Sequence, residues 1–341
     1  MDLNGNNIFS KNEIESKEND YTFRPKKLSD FVGQNQLREN LYVYIKAAKQ
    51  RKESIDHILF SGPPGLGKTT LAYIIAREMG VNYHHTNAPA IEKKGDLAAL
   101  LTKLKEKDVF FIDEIHRLRP ELEEILYSAM EDYKVNIIMG QGISANSISI
   151  PLPKFTLVGA TTRMGSLTRP LLTRFGIDFK LSLYNEKDIG SIVNRTAKLM
   201  DIELSAPASV EISKRSRGTP RVANRLMRRL RDFAQVHGKG SIDENITSIA
   251  FKELGIDELG FTETDRKMIK FIVENCNGGP VGLETIAVSL GETADTIQDV
   301  VEPYLIQQGY LIRTPRGRCL TNKSYNLPGI IKPESGQDTL F

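Results

Sequence analysis

Nine residues, Gly62-Pro63-Pro64-Gly65-Leu66-Gly67-Lys68-Thr69-Thr70, constrain this chain more than any other stretch. They fit the phosphate-loop pattern G-x-x-x-x-G-K-[ST] and stand between an apolar strand pattern at 57–60 and a helical pattern at 71–76. Glycines let the backbone turn tightly enough for successive N–H groups to face one anion. The start of the following helix adds its positive end. Lys68 has the reach for outer phosphates, and the Thr69 hydroxyl offers Mg²⁺ a hard oxygen ligand. The stretch predicts a nucleoside triphosphate site and leaves open what the energy does.

The surrounding pattern predicts an α/β fold. Short apolar runs at Ile58–Phe60, Val81–His84, Val109–Asp113, Phe155–Ala160 and Ile177–Leu181 alternate with helical segments. Such alternation predicts a parallel sheet covered by helices on both faces, with ligands at the carboxyl ends of the strands. From Asn185, a predicted N-cap, the pattern turns helical through a second helix at about 220–236. The last segment predicts helices at Thr264–Asn275, Leu283–Leu290 and Ala294–Gln308. Two short strands around Pro315-Arg316-Gly317 follow them. Three helices and a hairpin predict a winged helix-turn-helix.

The expected domains are therefore 1–184, a P-loop parallel-sheet domain; 185–255, a small all-helical lid; and 256–341, a winged-helix head. A length of 341 residues suits two or three domains. Residues 1–20 are polar and expected to be disordered. No apolar run approaches the ~20 residues that span a bilayer, and the start carries no apolar signal core, so a cytoplasmic protein with no membrane partner is expected. Two distant cysteines, Cys276 and Cys319, argue against a disulfide scaffold or a four-ligand zinc site. The net charge of +3 leaves a nucleic-acid partner to be decided by local clusters.

Candidate chemistry gathers at the strand ends. Val109-Phe110-Phe111-Ile112 runs into Asp113 and Glu114, the acids a phosphate loop requires. Asp113 is the candidate second Mg²⁺ ligand, and Glu114 the group that polarises the attacking water. Gly159-Ala160-Thr161-Thr162-Arg163 ends another apolar strand, where a polar side chain can sense the terminal phosphate; Thr161 is the catalytic candidate. Arg174 can stabilise charge developing in phosphoryl transfer. Arg221 follows a Pro at the first turn of a helix, where a cation is unfavourable unless an anion joins it. Arg225, Arg228, Arg229 and Arg231 suit a solvated or DNA-facing surface. In the last hairpin, Arg313, Arg316 and Arg318 put three arginines in six residues without an acid, which suits contact with a DNA backbone.

The segments GPPGLGKTTLA, FFIDEIHRL, GATTR, LLTRFG and RGTPRVANRL together resemble the AAA+ ATPases, and within them the RuvB family of Holliday-junction branch-migration motors. RPKKLSDFVGQ, AMEDY, GGPVGL and EPYLIQQGYLIRTPRGR extend the resemblance over nearly everything after residue 20. It implies an AAA+ ATPase domain with a helical lid and winged helix, using ATP and Mg²⁺ in a homohexamer that drives junction branch migration in recombination and repair. It implies RuvA as partner, with RuvC in the resolvasome. Nucleotide contacts are implied for Phe23, Arg24, Gly65, Lys68, Thr69, Thr70, Glu131, Asp132, Tyr133, Tyr184 and Arg221. Arg174 is implied as an arginine finger reaching the neighbouring subunit. Thr161 or Thr162 stands where many AAA+ proteins carry asparagine. A β-hairpin at about 135–151 is implied to dock on RuvA. There Ile148 and Ile150 alternate with serines on one strand face. Alternation alone equally suits core burial.

Two other classes share parts of this pattern. A clamp-loader or initiator-type switch uses the same loop and acids but does not move DNA. A protein unfoldase needs an aromatic pore-loop motif, which is not evident, and has no need of a winged helix.

Overall fold

The computed structural model describes residues 23–139 and 146–330. The expected disorder of residues 1–20, the tip of the 135–151 hairpin and the end of the C-terminal tail lie outside them. Contacts divide the chain into two units, Met1–Tyr184 and Asn185–Phe341.

The first unit holds a five-stranded parallel sheet of β1 (Ile58–Ser61), β2 (Tyr83–Asn87), β3 (Val109–Asp113), β6 (Thr156–Thr161) and β7 (Ile177–Lys180), in the order β2-β3-β6-β1-β7. Each of the five predicted strands is present, displaced by up to three residues at its ends. β1, β3 and β6 are buried on both faces, apart from the half-buried terminal Asp113, which is why they read as unbroken apolar runs. Phe60, Phe110, Phe111 and Phe155 are among the largest fully buried side chains. Each such side chain contributes about 1.5–3 kcal/mol by leaving water. β1 is an inner strand, between β6 and the edge strand β7, so the loop that follows it opens within the carboxyl edge. A separate antiparallel hairpin, β4 (Lys134–Met139) and β5 (Asn146–Pro151), pairs Val135 with Ile150 and Ile137 with Ile148.

The second unit begins with the helix Glu186–Leu199, whose N-cap Asn185 accepts a bond from Asp188 N at 2.8 Å. Helices Ala206–Arg215, Pro220–His237 and Glu244–Glu253 complete the lid. The first and last of these three carry no strong pattern, and sequence reading did not assign them. Helices Glu263–Cys276 and Leu283–Leu290 follow, and then Ala294–Thr296 runs through a π-helical stretch, Ile297–Val301, into Glu302–Gln307. The chain closes on β8 (Leu311–Thr314) and β9 (Gly317–Leu320), an antiparallel pair to which Val281 adds a short bridge at Arg318. This is a winged helix.

Candidate nucleotide site and DNA-facing wing

The phosphate loop follows β1 and leads into the helix Lys68–Met79. Gly62, Gly65 and Gly67 all have positive φ. At Gly62 a Cβ would lie 2.4 Å from the Leu181 carbonyl oxygen, so no other residue fits the entry to the loop. Lys68 Nζ donates to the carbonyls of Gly62 and Pro63 at 2.7 and 2.9 Å, which holds its ammonium over the mouth of the loop. Tyr184 donates its hydroxyl proton to Leu66 O at 3.1 Å, so one expected nucleotide contact rests directly on the loop.

Thr69 Oγ1 donates to Asp113 Oδ2 at 3.3 Å, across 44 residues of sequence. A hydroxyl and a carboxylate converging there, beside a glycine-lined anion cradle, form a donor set suited to Mg²⁺. The residues present therefore fit the metal and the triphosphate. Glu114 is next in the chain, half exposed, with its carboxylate 3.3 Å from Arg117 Nη1. Burial pulls the His85 imidazole below its usual pKa; Asp113 opposes the fall and Arg24 adds to it. Arg24 and Asp113 thus both act on one ring beside the carboxyl edge. Thr161 is buried, and its Oγ1 accepts a bond from Arg163 N at 2.9 Å and lies 3.1 Å from His116 Nδ1. Thr162, beside it, is half-buried.

The structure does not bring every expected nucleotide contact to this edge. Tyr133 packs on His57 and Phe155, which precede β1 and β6, at the amino edge of the sheet. Glu131 sits two residues before it and pairs with Arg174 at 2.9 Å; Asp132 pairs with Lys134. The Arg174 guanidinium stacks 4.4 Å over the Tyr127 ring, whose hydroxyl donates to the buried Glu123. Within one chain, Arg174 and Glu131–Tyr133 therefore stand at the opposite edge from Lys68. The physical reason is the path of the helix Pro120–Glu131, which returns the chain to the strand starts.

On the hairpin, burial falls from Val135, fully enclosed at the base, to the half-buried Ile150 and to Ile148, 47% exposed. Ile148 thus presents an apolar side chain to solvent.

In the second unit, Arg221 is exposed in the first turn of Pro220–His237, whose N-cap Thr219 makes no side-chain capping bond. Arg229 and Arg231 share Asp232, so that face is less basic than its arginine count suggests. In the wing, Arg313 Nε and Arg318 Nε donate to opposite oxygens of the fully buried Glu302 at 2.7 and 2.6 Å. Arg316 is exposed at the turn. Sequence reading named these arginines but not Glu302, Glu131's pairing or His116; an acid or histidine in an ordinary helical or turn pattern gives no signal of its distant partner.

Three family models cover the chain in succession: the Holliday junction DNA helicase RuvB P-loop domain over residues 23–181, the RuvB AAA lid domain over 184–257 and the RuvB C-terminal winged helix domain over 258–328. The chain belongs to the RuvB family. It is 54% identical to the RuvB named as a Holliday junction branch migration complex subunit in Treponema denticola, over 95% of each chain. It matches the Thermotoga maritima RuvB structure described as a Holliday junction branch migration motor at 49% identity and a TM-score of 0.82. That match covers 89% of this chain and 97% of the other. A lysine-to-arginine mutant of the same RuvB matches over the same shares with a TM-score of 0.83. The RuvB models meet at 181–184 and 257–258. Among the described residues no helix is long and apolar enough to cross a membrane.

Proposed function

We propose that this chain is a cytoplasmic ATPase motor that drives branch migration of Holliday junctions, working as a homohexamer with RuvA and, in the resolvasome, RuvC. The observation that carries the reading is the meeting of Thr69 and Asp113 at 3.3 Å, with Glu114 next in sequence, in a chain that ends in an arginine-bearing winged helix. The names of the RuvB relatives supply the four-way junction as the load.

The residues divide the work. The backbone N–H groups of the loop and Lys68 bind the phosphates, while Phe23, Arg24, Gly65, Thr70 and Tyr184 fix the nucleotide. Thr69 and Asp113 hold Mg²⁺, which when bound offsets negative charge on the phosphates. Glu114 accepts a proton from the attacking water. Arg174, with Glu131, Asp132 and Tyr133, serves the pocket of the neighbouring subunit, since these residues lie at the amino edge of their own sheet. Arg221 binds phosphate from the lid and so makes lid position depend on nucleotide. Arg313, Arg316 and Arg318 grip the DNA backbone, giving affinity without a sequence requirement, as a motor on arbitrary DNA needs. Ile148 and Ile150 form the docking face for RuvA.

The test is ATP hydrolysis with and without duplex DNA. Duplex should stimulate the native protein. Lys68→Ala should lose hydrolysis and nucleotide binding together, and Glu114→Gln should bind ATP without turning it over. DNA-stimulated hydrolysis by Glu114→Gln would sink the assignment.

A further inference from the structure

Glu114 has φ +50, a left-handed conformation that costs free energy for any residue with a Cβ. Something must hold it there. The turn Ile115–Arg117 follows at once, closed by Arg117 N donating to Glu114 O at 2.8 Å. This turn is fixed to β6 at two points on one face of the strand. Ile115 Cδ1 lies so close over Gly159 that a Cβ there would be 3.1 Å from it. His116 Nδ1 meets Thr161 Oγ1 at 3.1 Å, two residues further along.

Thr161 has a second attachment. Its backbone oxygen accepts Gly62 N at 3.2 Å, at the entry to the phosphate loop. One residue therefore holds the phosphate loop through its carbonyl and the turn carrying Glu114 through its hydroxyl. Thr161 as a whole is 1% exposed, and its hydroxyl already accepts a bond from Arg163 N. It is occupied inside the protein, while the neighbouring Thr162 is half-buried.

We infer that His116 is a positioning residue for hydrolysis: its bond to Thr161 sets the distance and direction of Glu114 relative to the phosphate loop. Thr161 then acts through His116 and needs no phosphate contact of its own. The inference rests on Glu114 as the water-activating group, the reading proposed above. Displacing a catalytic group by about 1 Å can cost on the order of 100-fold in rate while leaving ground-state binding intact.

The experiment compares His116→Phe, His116→Asn, Thr161→Val and Glu114→Gln in DNA-stimulated ATP hydrolysis, with fluorescent-nucleotide binding and melting temperature measured alongside. Asparagine places a polar atom near the position of Nδ1; phenylalanine keeps the ring and removes the bond. His116→Phe and Thr161→Val should each lower kcat by about 10- to 100-fold with nucleotide affinity within about threefold. His116→Asn should recover most of kcat. The Phe and Val changes combined should be no slower than either alone, because both cut one link. Native kcat in His116→Phe while Glu114→Gln is inactive overturns the inference and spares the parent reading. So does a His116→Asn variant as slow as His116→Phe. Hydrolysis that survives Glu114→Gln overturns the parent reading, and the inference with it.

Discussion

Arg217 and Asp265 form a two-bond ion pair, Nη1 to Oδ2 at 3.1 Å and Nη2 to Oδ1 at 3.0 Å, that joins the lid to the winged-helix head. Asp265 is fully buried, and it also accepts Thr262 N and Thr262 Oγ1 as the N3 residue of a capping box. Arg217 stacks over Tyr304, whose phenol burial pushes up to about 12, keeping it a hydrogen-bond donor to Leu259 O. Arg217 stands four residues before Arg221. The pair is thus a desolvated link into the head close to the residue proposed to bind phosphate from the lid.

Removing one partner of a buried pair leaves an uncompensated charge, at about 3–5 kcal/mol. Arg217→Ala should therefore lower the melting temperature markedly. Exchanging the pair for neutral groups, Arg217→Met with Asp265→Leu, should restore part of that stability but not the stimulation of ATPase by DNA. Calorimetry with DNA-stimulated ATPase checks this; full stimulation in the double variant would show that the pair carries no coupling.

The wing poses a related problem. Glu302 is buried between Arg313 and Arg318, so alanine at both arginines removes the proposed DNA contacts and also strands a carboxylate in the core. Loss of DNA binding in that variant reports both effects. Arg316→Ala is the cleaner probe. It should leave the melting temperature unchanged and reduce the salt dependence of duplex binding, d log K/d log [salt], by about 1. An unchanged slope would take Arg316 out of the interface.

Burial holds the His57 imidazole below its usual pKa, against the raising effects of its Met130 bond and Asp56. Leu157 N donates to Nδ1 at 2.9 Å, so the proton is on Nε2, which donates to Met130 O at 3.1 Å. The folded form is thus neutral, while the unfolded form titrates near 6.5. Stability from this group is complete above pH 6.5 and falls as pH drops below it, by up to about 1.4 kcal/mol per unit. Urea melts between pH 7.5 and 5 should show that slope, and His57→Gln, though less stable, should flatten it.

Mixed hexamers test the proposed joint. A subunit carrying Arg174→Ala keeps its own loop, Thr69–Asp113 pair and Glu114, but should fail to support hydrolysis in the neighbour it faces. Combined with Glu114→Gln subunits, it should give some active pockets in mixed rings where neither variant alone has any. Absence of that rescue would contradict service in trans. Glu131→Gln should show a milder defect of the same kind, since it orients Arg174 from one side only.

The sheet was legible because its inner strands are buried on both faces, which leaves unbroken apolar runs bounded by turn residues. The loop was legible because only one arrangement of glycines and lysine makes such a cradle. Thr69, Asp113 and Glu114 followed from local sequence and spacing. What stayed hidden depends on meetings across long sequence separations. Nothing in the sequence near Glu302 indicates two arginines, and nothing near His116 points to Thr161, 45 residues away. Glu131–Tyr133 could be named through family resemblance, but their edge of the sheet could not, because the length of the helix Pro120–Glu131 decides it. The exposure of Ile148 was equally undecided, since alternation describes a strand face without saying what covers it.

Movement of a four-way junction tests the account most directly. Synthetic junctions with homologous arms, incubated with ATP, RuvA and this protein, should be converted to separated duplexes. Glu114→Gln should bind junction and nucleotide yet produce none. Native protein that binds the junction, hydrolyses ATP and leaves the branch point in place would contradict the motor and favour a nucleotide-controlled switch.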